Sequence, residues 1–146
     1  MDTIRVVLAD DHAEFRRVVR EFLKRLPHVQ VVGEAADGTE AIEQVARLGP
    51  DFVLMDINMP ALNGLEATRI IKERWPAVLV LIATTHDNNL YRLQALEAKA
   101  DAYALKSDLK RTLEAVLNES HWLSEALAAL PRVSVDGLTR PGGSHI

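Results

Sequence analysis

The sequence contains no cysteine, which excludes disulfide staples, thiolate metal sites and thiol nucleophiles and fits a reducing compartment. No apolar run approaches the roughly 20 residues that a membrane-spanning helix needs. The opening stretch mixes Ile4, Val6, Val7 and Leu8 with Asp2, Arg5 and Asp10, too short and too charged for a signal peptide. These absences lead us to expect a cytoplasmic protein with no membrane attachment. Clustered positive charge is scarce as well. The net charge is −4 at pH 7 and no long Lys/Arg run occurs, which argues against direct nucleic-acid binding, because neutralising a phosphate backbone takes a basic face. The densest basic stretch, Arg16, Arg17, Arg20, Lys24 and Arg25, is interleaved with Glu14 and Glu21 and reads as a solvated helix face.

What remains is an ordinary globular composition. With 146 residues, 48% of them hydrophobic and 26% charged, the chain can bury one core and is short for two domains. Five β-rich runs recur, Ile4 to Ala9, Val29 to Glu34, Phe52 to Met55, Val78 to Ala83 and Ala102 to Leu105. Several are apolar throughout, as parallel strands covered on both faces should be. Between them lie helical patterns. Phe15, Val18, Val19, Phe22, Leu23 and Leu26 form one stripe that ends at Pro27. Further helices are expected over about 39–48, 65–74 and 88–98, with a fifth beginning near Asp108. The alternation predicts an α/β fold with a doubly wound parallel sheet, whose ligands bind beyond the carboxyl ends of the strands. After these elements, Trp122, Leu123, Ala126, Leu127 and Leu130 can form a short amphipathic helix over 119–130, and the Pro/Gly-rich 131–146 reads as a linker or tail.

The strand ends carry the chemistry: Asp10 and Asp11 after the first, Asp56 after the third, Thr84 and Thr85 after the fourth, Lys106 after the fifth. Crowded carboxylates repel one another and call for a cation, and all-oxygen donors favour a hard ion such as Mg²⁺. A lysine and a hydroxyl opposite them suit the anionic oxygens of a phosphoryl group, so the set describes phosphoryl transfer to aspartate. Taken singly, each residue has a plainer role. Asp11 with Glu14 fits a helix capping box, Thr84 a cap, Lys106 a solvated side chain and Tyr103 core. The joint arrangement on successive strand ends favours the site.

The segments Val7-Leu8-Ala9-Asp10-Asp11-His12, Met55-Asp56-Ile57-Asn58-Met59-Pro60, Asn63-Gly64-Leu65-Glu66 and Tyr103-Ala104-Leu105-Lys106 resemble receiver domains of two-component response regulators, in particular the NarL/FixJ group. The resemblance covers about residues 3–118. It implies a flavodoxin-like sheet of strand order 2-1-3-4-5 and a receiver domain over 1–118. It further implies that Asp56 accepts the phosphoryl group from a sensor histidine kinase and that Mg²⁺ is held by Asp11, Asp56, the carbonyl of Asn58 and, through water, Asp10. Lys106 would pair with the phosphoryl group, Thr84 would be the switch hydroxyl, and Tyr103 the switch aromatic that turns inward when Thr84 moves. Such a domain is not an enzyme in the usual sense but catalyses its own phosphorylation and slow dephosphorylation. Its signalling face has scope for a homodimer on phosphorylation and serves control of transcription. Three departures stand out: Lys99 where the family usually has glycine, Thr85 where a smaller residue is common, and no helix-turn-helix segment of the usual output domain expected after residue 118. A haloacid-dehalogenase-type enzyme would need a second aspartate at position 58, where Asn58 cannot transfer protons in that way. A flavin binder of this fold would want a hydroxyl- and glycine-rich phosphate loop after the first strand, where Asp10 and Asp11 would repel a phosphate without a metal. A degenerate receiver acting only as a binding module is the third alternative.

Overall fold

The apolar runs become parallel strands because helices cover both of their faces. The computed structural model describes residues 3–86 and 88–117; the expected helix at 119–130 and the tail at 131–146 lie outside the described residues. In chain order the elements are β1 (Ile4–Ala9), α1 (Ala13–Leu23), β2 (Val29–Ala35), α2 (Gly38–Leu48), β3 (Phe52–Asp56), α3 (Gly64–Arg74), β4 (Leu79–Thr84), α4 (Asn89–Glu97), β5 (Ala102–Leu105) and α5 (Leu109–Leu117), with a 3₁₀ turn at Lys106–Asp108. The sheet order is β2-β1-β3-β4-β5 and every pair is parallel. The expected alternation and strand order are therefore observed. β3 and β4 are buried along their whole length, whereas the edge strand β2 is half-buried.

Period two splits the strand residues between two layers. Ile4, Val6 and Leu8, with Phe52, Leu54, Leu81 and Ala104, pack under α1 and α5. Their alternates, among them Val7, Val53, Met55, Ile82 and Tyr103, pack under α2, α3 and α4. The last of these helices is lightly held: α4 buries only Ala95 and leaves Leu90 and Leu93 exposed.

Several boundaries depart from the pattern. β3 and β4 each run one residue further than expected, to Asp56 and Thr84, so both side chains are fixed by the ladder rather than by a loop. α1 stops at Leu23, short of Pro27, although Leu26 is still buried through a turn back to the Leu23 carbonyl. The capping box that the spacing of Asp11 and Glu14 would fit does not form. His12 takes the N-cap position without a side-chain bond, because the Asp10 Oδ1 already accepts its N–H at 2.8 Å and turns the chain there. Glu14 instead pairs with Arg17 at 2.5 Å. The structure has its capping box at Asn63 and Glu66, which starts α3 directly after the loop that follows β3.

Lys99 adopts the left-handed conformation, φ 68°, at the end of α4. Its N–H donates to the Leu96 carbonyl and that of Ala100 to the Ala95 carbonyl, both at 3.0 Å, the bonding of a Schellman cap. A side chain there costs about 1–2 kcal/mol, and the greater freedom of glycine in the unfolded chain takes back about 0.4–1 kcal/mol. Lys99→Gly should therefore stabilise the protein by about 0.5–1 kcal/mol, a rise of a few degrees in Tm by calorimetry. An unchanged or lowered Tm would show that the cap is not strained.

Candidate functional site

Strand register brings the polar residues to one rim. Ala9 pairs with Met55, Asp56 with Ala83 and Thr84 with Leu105, so Asp10, Asp56, Thr84 and Lys106 stand at neighbouring strand ends. By parity Asp10, Asp56 and Lys106 lean to the α1/α5 layer. Thr84 and Tyr103 have the parity of the opposite layer.

Asp10 and Asp56 are 3% and 6% exposed, and one ammonium serves both: Lys106 Nζ lies 2.6 Å from Asp10 Oδ2 and 3.3 Å from Asp56 Oδ1. Burial pushes the Asp56 carboxyl up, and the nearby charge of Asp10 adds to this. Lys106 offsets only part of it, which leaves the pKa raised to about 6. Asp11 is exposed beside them. The His12 Nδ1 lies 3.2 Å from Asp10 Oδ1 and 3.1 Å from Asp11 Oδ1, and ligand atoms of these three residues fall within 4.8 Å of one another. Asn58 is exposed two residues beyond Asp56. The Ile57 carbonyl accepts from Met59 and Gly64 at 3.1 and 2.9 Å, and the loop makes no such bond to the Asn58 carbonyl among the described residues. Gly64 is required by close approach: a Cβ there would stand 1.8 Å from the Asp56 carbonyl oxygen.

Buried carboxylates, an ammonium and a hydroxyl on one rim are the equipment for receiving an anionic group. Residues 6–118 match the family described as the response regulator receiver domain. The chain belongs to that family. It is 43% identical over 114 residues to the transcriptional regulatory protein DegU of Brevibacillus brevis, covering 77% of this chain and 48% of that protein. The crystal structure of a LuxR-family two-component response regulator from Aurantimonas sp. SI85-9A1 matches with a TM-score of 0.73 and 34% identity, over 87% of this chain and 97% of that one. The receiver domain of the response regulator NarL from Mycobacterium tuberculosis matches with a TM-score of 0.72 and 30% identity, over 88% and 94%. The chain spans half or less of the length of the curated relatives first matched. These relatives agree with the NarL/FixJ resemblance.

Thr84 and Tyr103, expected from the resemblance to act as a switch, have the parity of the other layer. Thr84 is buried and its Oγ1 donates to the His86 carbonyl at 3.4 Å, a long bond. The Tyr103 ring is 2% exposed, with the Arg92 guanidinium 4.7 Å above its centroid. The Tyr103 ring is thus turned inward while the Thr84 hydroxyl is directed at the His86 carbonyl.

Three neighbours of the site escaped the sequence reading. The basic stretch of α1 is not uniformly solvated: Arg17 and Lys24 make surface pairs, but Arg16 and Arg20 both bind Glu34, and Arg16 also donates to the Asp10 carbonyl. Burial would raise the Glu34 carboxyl, but the hydrogen bonds from Arg16 and Arg20 outweigh it and hold the pKa below the usual range. The Phe15 ring faces Lys106 Nζ at 4.2 Å. Arg92 over Tyr103 is the third. Nothing in residue spacing marks these contacts, because each joins a helix to a residue on another element.

The raised Asp56 carries a stability cost with a definite sign. Its proton is bound more tightly in the folded than in the unfolded chain, so stability falls as pH rises from about 4 to 6 and the full penalty holds above that. Two pKa units correspond to about 3 kcal/mol at most. In chelator at pH 7.5, Asp56→Asn should be more stable than wild type by up to that amount in urea unfolding, and the gain should vanish below pH 4. A gain independent of pH, or none at all, would contradict the burial of this charge.

Proposed function

We propose that Asp56 is the phosphoryl acceptor of this receiver domain and that a sensor histidine kinase supplies the phosphoryl group from a phosphohistidine. The observation that supports this most is the shared ammonium: a nearly buried carboxylate at a strand end, with Lys106 3.3 Å away and a second acidic residue on the same lysine. In the transfer an Asp56 carboxylate oxygen attacks phosphorus, the P–N bond to the donor imidazole breaks, and an acyl phosphate forms while the imidazole takes up a proton. A pKa of about 6 leaves the nucleophile largely ionised at neutral pH. Lys106 then turns from Asp10 toward the phosphoryl oxygens, and the Thr84 hydroxyl exchanges its long bond to His86 for a shorter one to the same oxygens.

Mg²⁺ fits the donor set, which consists of hard oxygens: the carboxylates of Asp11 and Asp56, the Asn58 carbonyl, and Asp10 through water. Mg²⁺ held by these residues would supply positive charge that offsets the carboxylates and the incoming phosphoryl group. The domain itself catalyses phosphorylation from small donors and slow dephosphorylation. The output is read from the face formed by α4, β5 and α5, where the lightly held α4 can shift and a second copy or a further domain can engage. By analogy with DegU, a transcriptional regulatory protein, the signal serves transcription in the cytoplasm.

Acetyl phosphate with Mg²⁺ should add one hydroxylamine-labile phosphate to the intact mass, and Asp56→Ala should add none. An adduct of equal yield in that variant would overturn the assignment. Beryllofluoride should shift amide signals over 88–110, with Thr84→Ala blunting the response. Shifts confined to the neighbours of Asp56 would mean that α4 and β5 do not carry the signal.

A further inference from the structure

We propose that Phe15 is a positioning residue for phosphoryl transfer, its ring face holding the Lys106 ammonium against the two carboxylates; this deepens the reading of Lys106 given above and rests on it. Phe15 stands in the first turn of α1, and Lys106 Nζ lies 4.2 Å from its ring centroid, well inside the reach of a cation–π attraction. On its other side the same nitrogen meets Asp10 at 2.6 Å and Asp56 at 3.3 Å. The ammonium is therefore held between an aromatic face and two anions. Phe15 also borders two spaces, the small interior pocket lined by Leu8, Leu54, Asp10 and Asp56 and an outer groove of about 560 Å³ between α1 and α5. The ring thus forms part of the wall between the acidic pocket and open solvent.

A lysine head swings on four methylenes and is strongly hydrated. Holding it at Asp56 needs something that attracts the cation without binding it so firmly that it cannot turn to a phosphoryl oxygen. Carboxylates alone would fix it by charge, and an aliphatic wall would exclude water but offer no attraction. An aromatic face does both, through its quadrupole and its area. The plainer role, one more apolar residue on the α1 stripe, explains its packing but not the ammonium over the ring.

The test is the phosphorylation rate with acetyl phosphate and Mg²⁺, resolved into maximal rate and half-saturating donor concentration. Phe15→Leu should lower the maximal rate by about three- to tenfold, the size of a partly desolvated cation–π contact, with half-saturation little changed. Phe15→Tyr should keep the rate near wild type, and Phe15→Leu should have no additional effect in a Lys106→Met background. Thermal melting establishes that each variant is folded, and Phe15→Met replaces Phe15→Leu if the latter is not. If Lys106→Met alone phosphorylates like wild type, the reading of Lys106 fails, and this inference with it. If Lys106→Met is slow but Phe15→Leu is not, or Phe15→Tyr is as slow as Phe15→Leu, or the loss is the same in both backgrounds, Phe15 only packs and this inference alone is overturned.

Discussion

One lysine ammonium shared by two buried carboxylates is the constraint on which the rest of this receiver domain depends. Asp10 and Asp56 together carry more negative charge than Lys106 balances. Removing Lys106 would leave two buried carboxylates without a counter-charge, a loss that typically costs about 3–5 kcal/mol, yet the intact set is itself uncomfortable, as the raised Asp56 shows. The fold tolerates this because the ladder fixes Asp56 at the end of β3 and holds Asp10 just beyond β1. Asp10 is then engaged at every oxygen: by the His12 N–H, by Lys106 and, at its carbonyl, by Arg16. A site that is short of positive charge yet rigid is prepared for a cation and for an anion that brings one.

The sheet divides the labour. Residues of one parity, Asp10, Asp56 and Lys106, face the layer that contains α1 and α5, and Thr84 and Tyr103 have the parity of the other. Coupling between proposed chemistry and proposed output therefore has to cross the sheet at its carboxyl rim, where Thr84 is next to Asp56 through Ala83. On the far side, α4 buries little, ends in a strained left-handed Lys99 and places Arg92 over Tyr103. An element held by few apolar contacts is one whose position a small change in free energy can shift.

Much of this was legible in the residues. Parallel strands announce themselves as wholly apolar runs, so the five-fold alternation and the strand-end positions of Asp10, Asp56, Thr84 and Lys106 followed from pattern alone. At Lys99 the glycine usual in the family marks the position that the structure holds at positive φ. Local competition was harder to read. Asp11 and Glu14 have the spacing of a capping box, but Asp10 takes the His12 N–H first and the helix starts differently. Arg16 has the same letter as Arg17 and a different fate, because one points back to Glu34 and the strand end while the other faces water. Phe15 looks like the first residue of an apolar stripe. Its contact with Lys106, 91 residues further along the chain, belongs to the tertiary structure and leaves no trace in spacing.

The central claim is that the strand-end acids form a cluster short of positive charge which a hard cation completes. Isothermal titration of Mg²⁺ into the metal-free protein, alongside Asp11→Asn and Asp56→Asn, tests it most directly. The account predicts one ion per chain for wild type, with binding greatly weakened by either substitution. Equal Mg²⁺ affinity in all three proteins would contradict it.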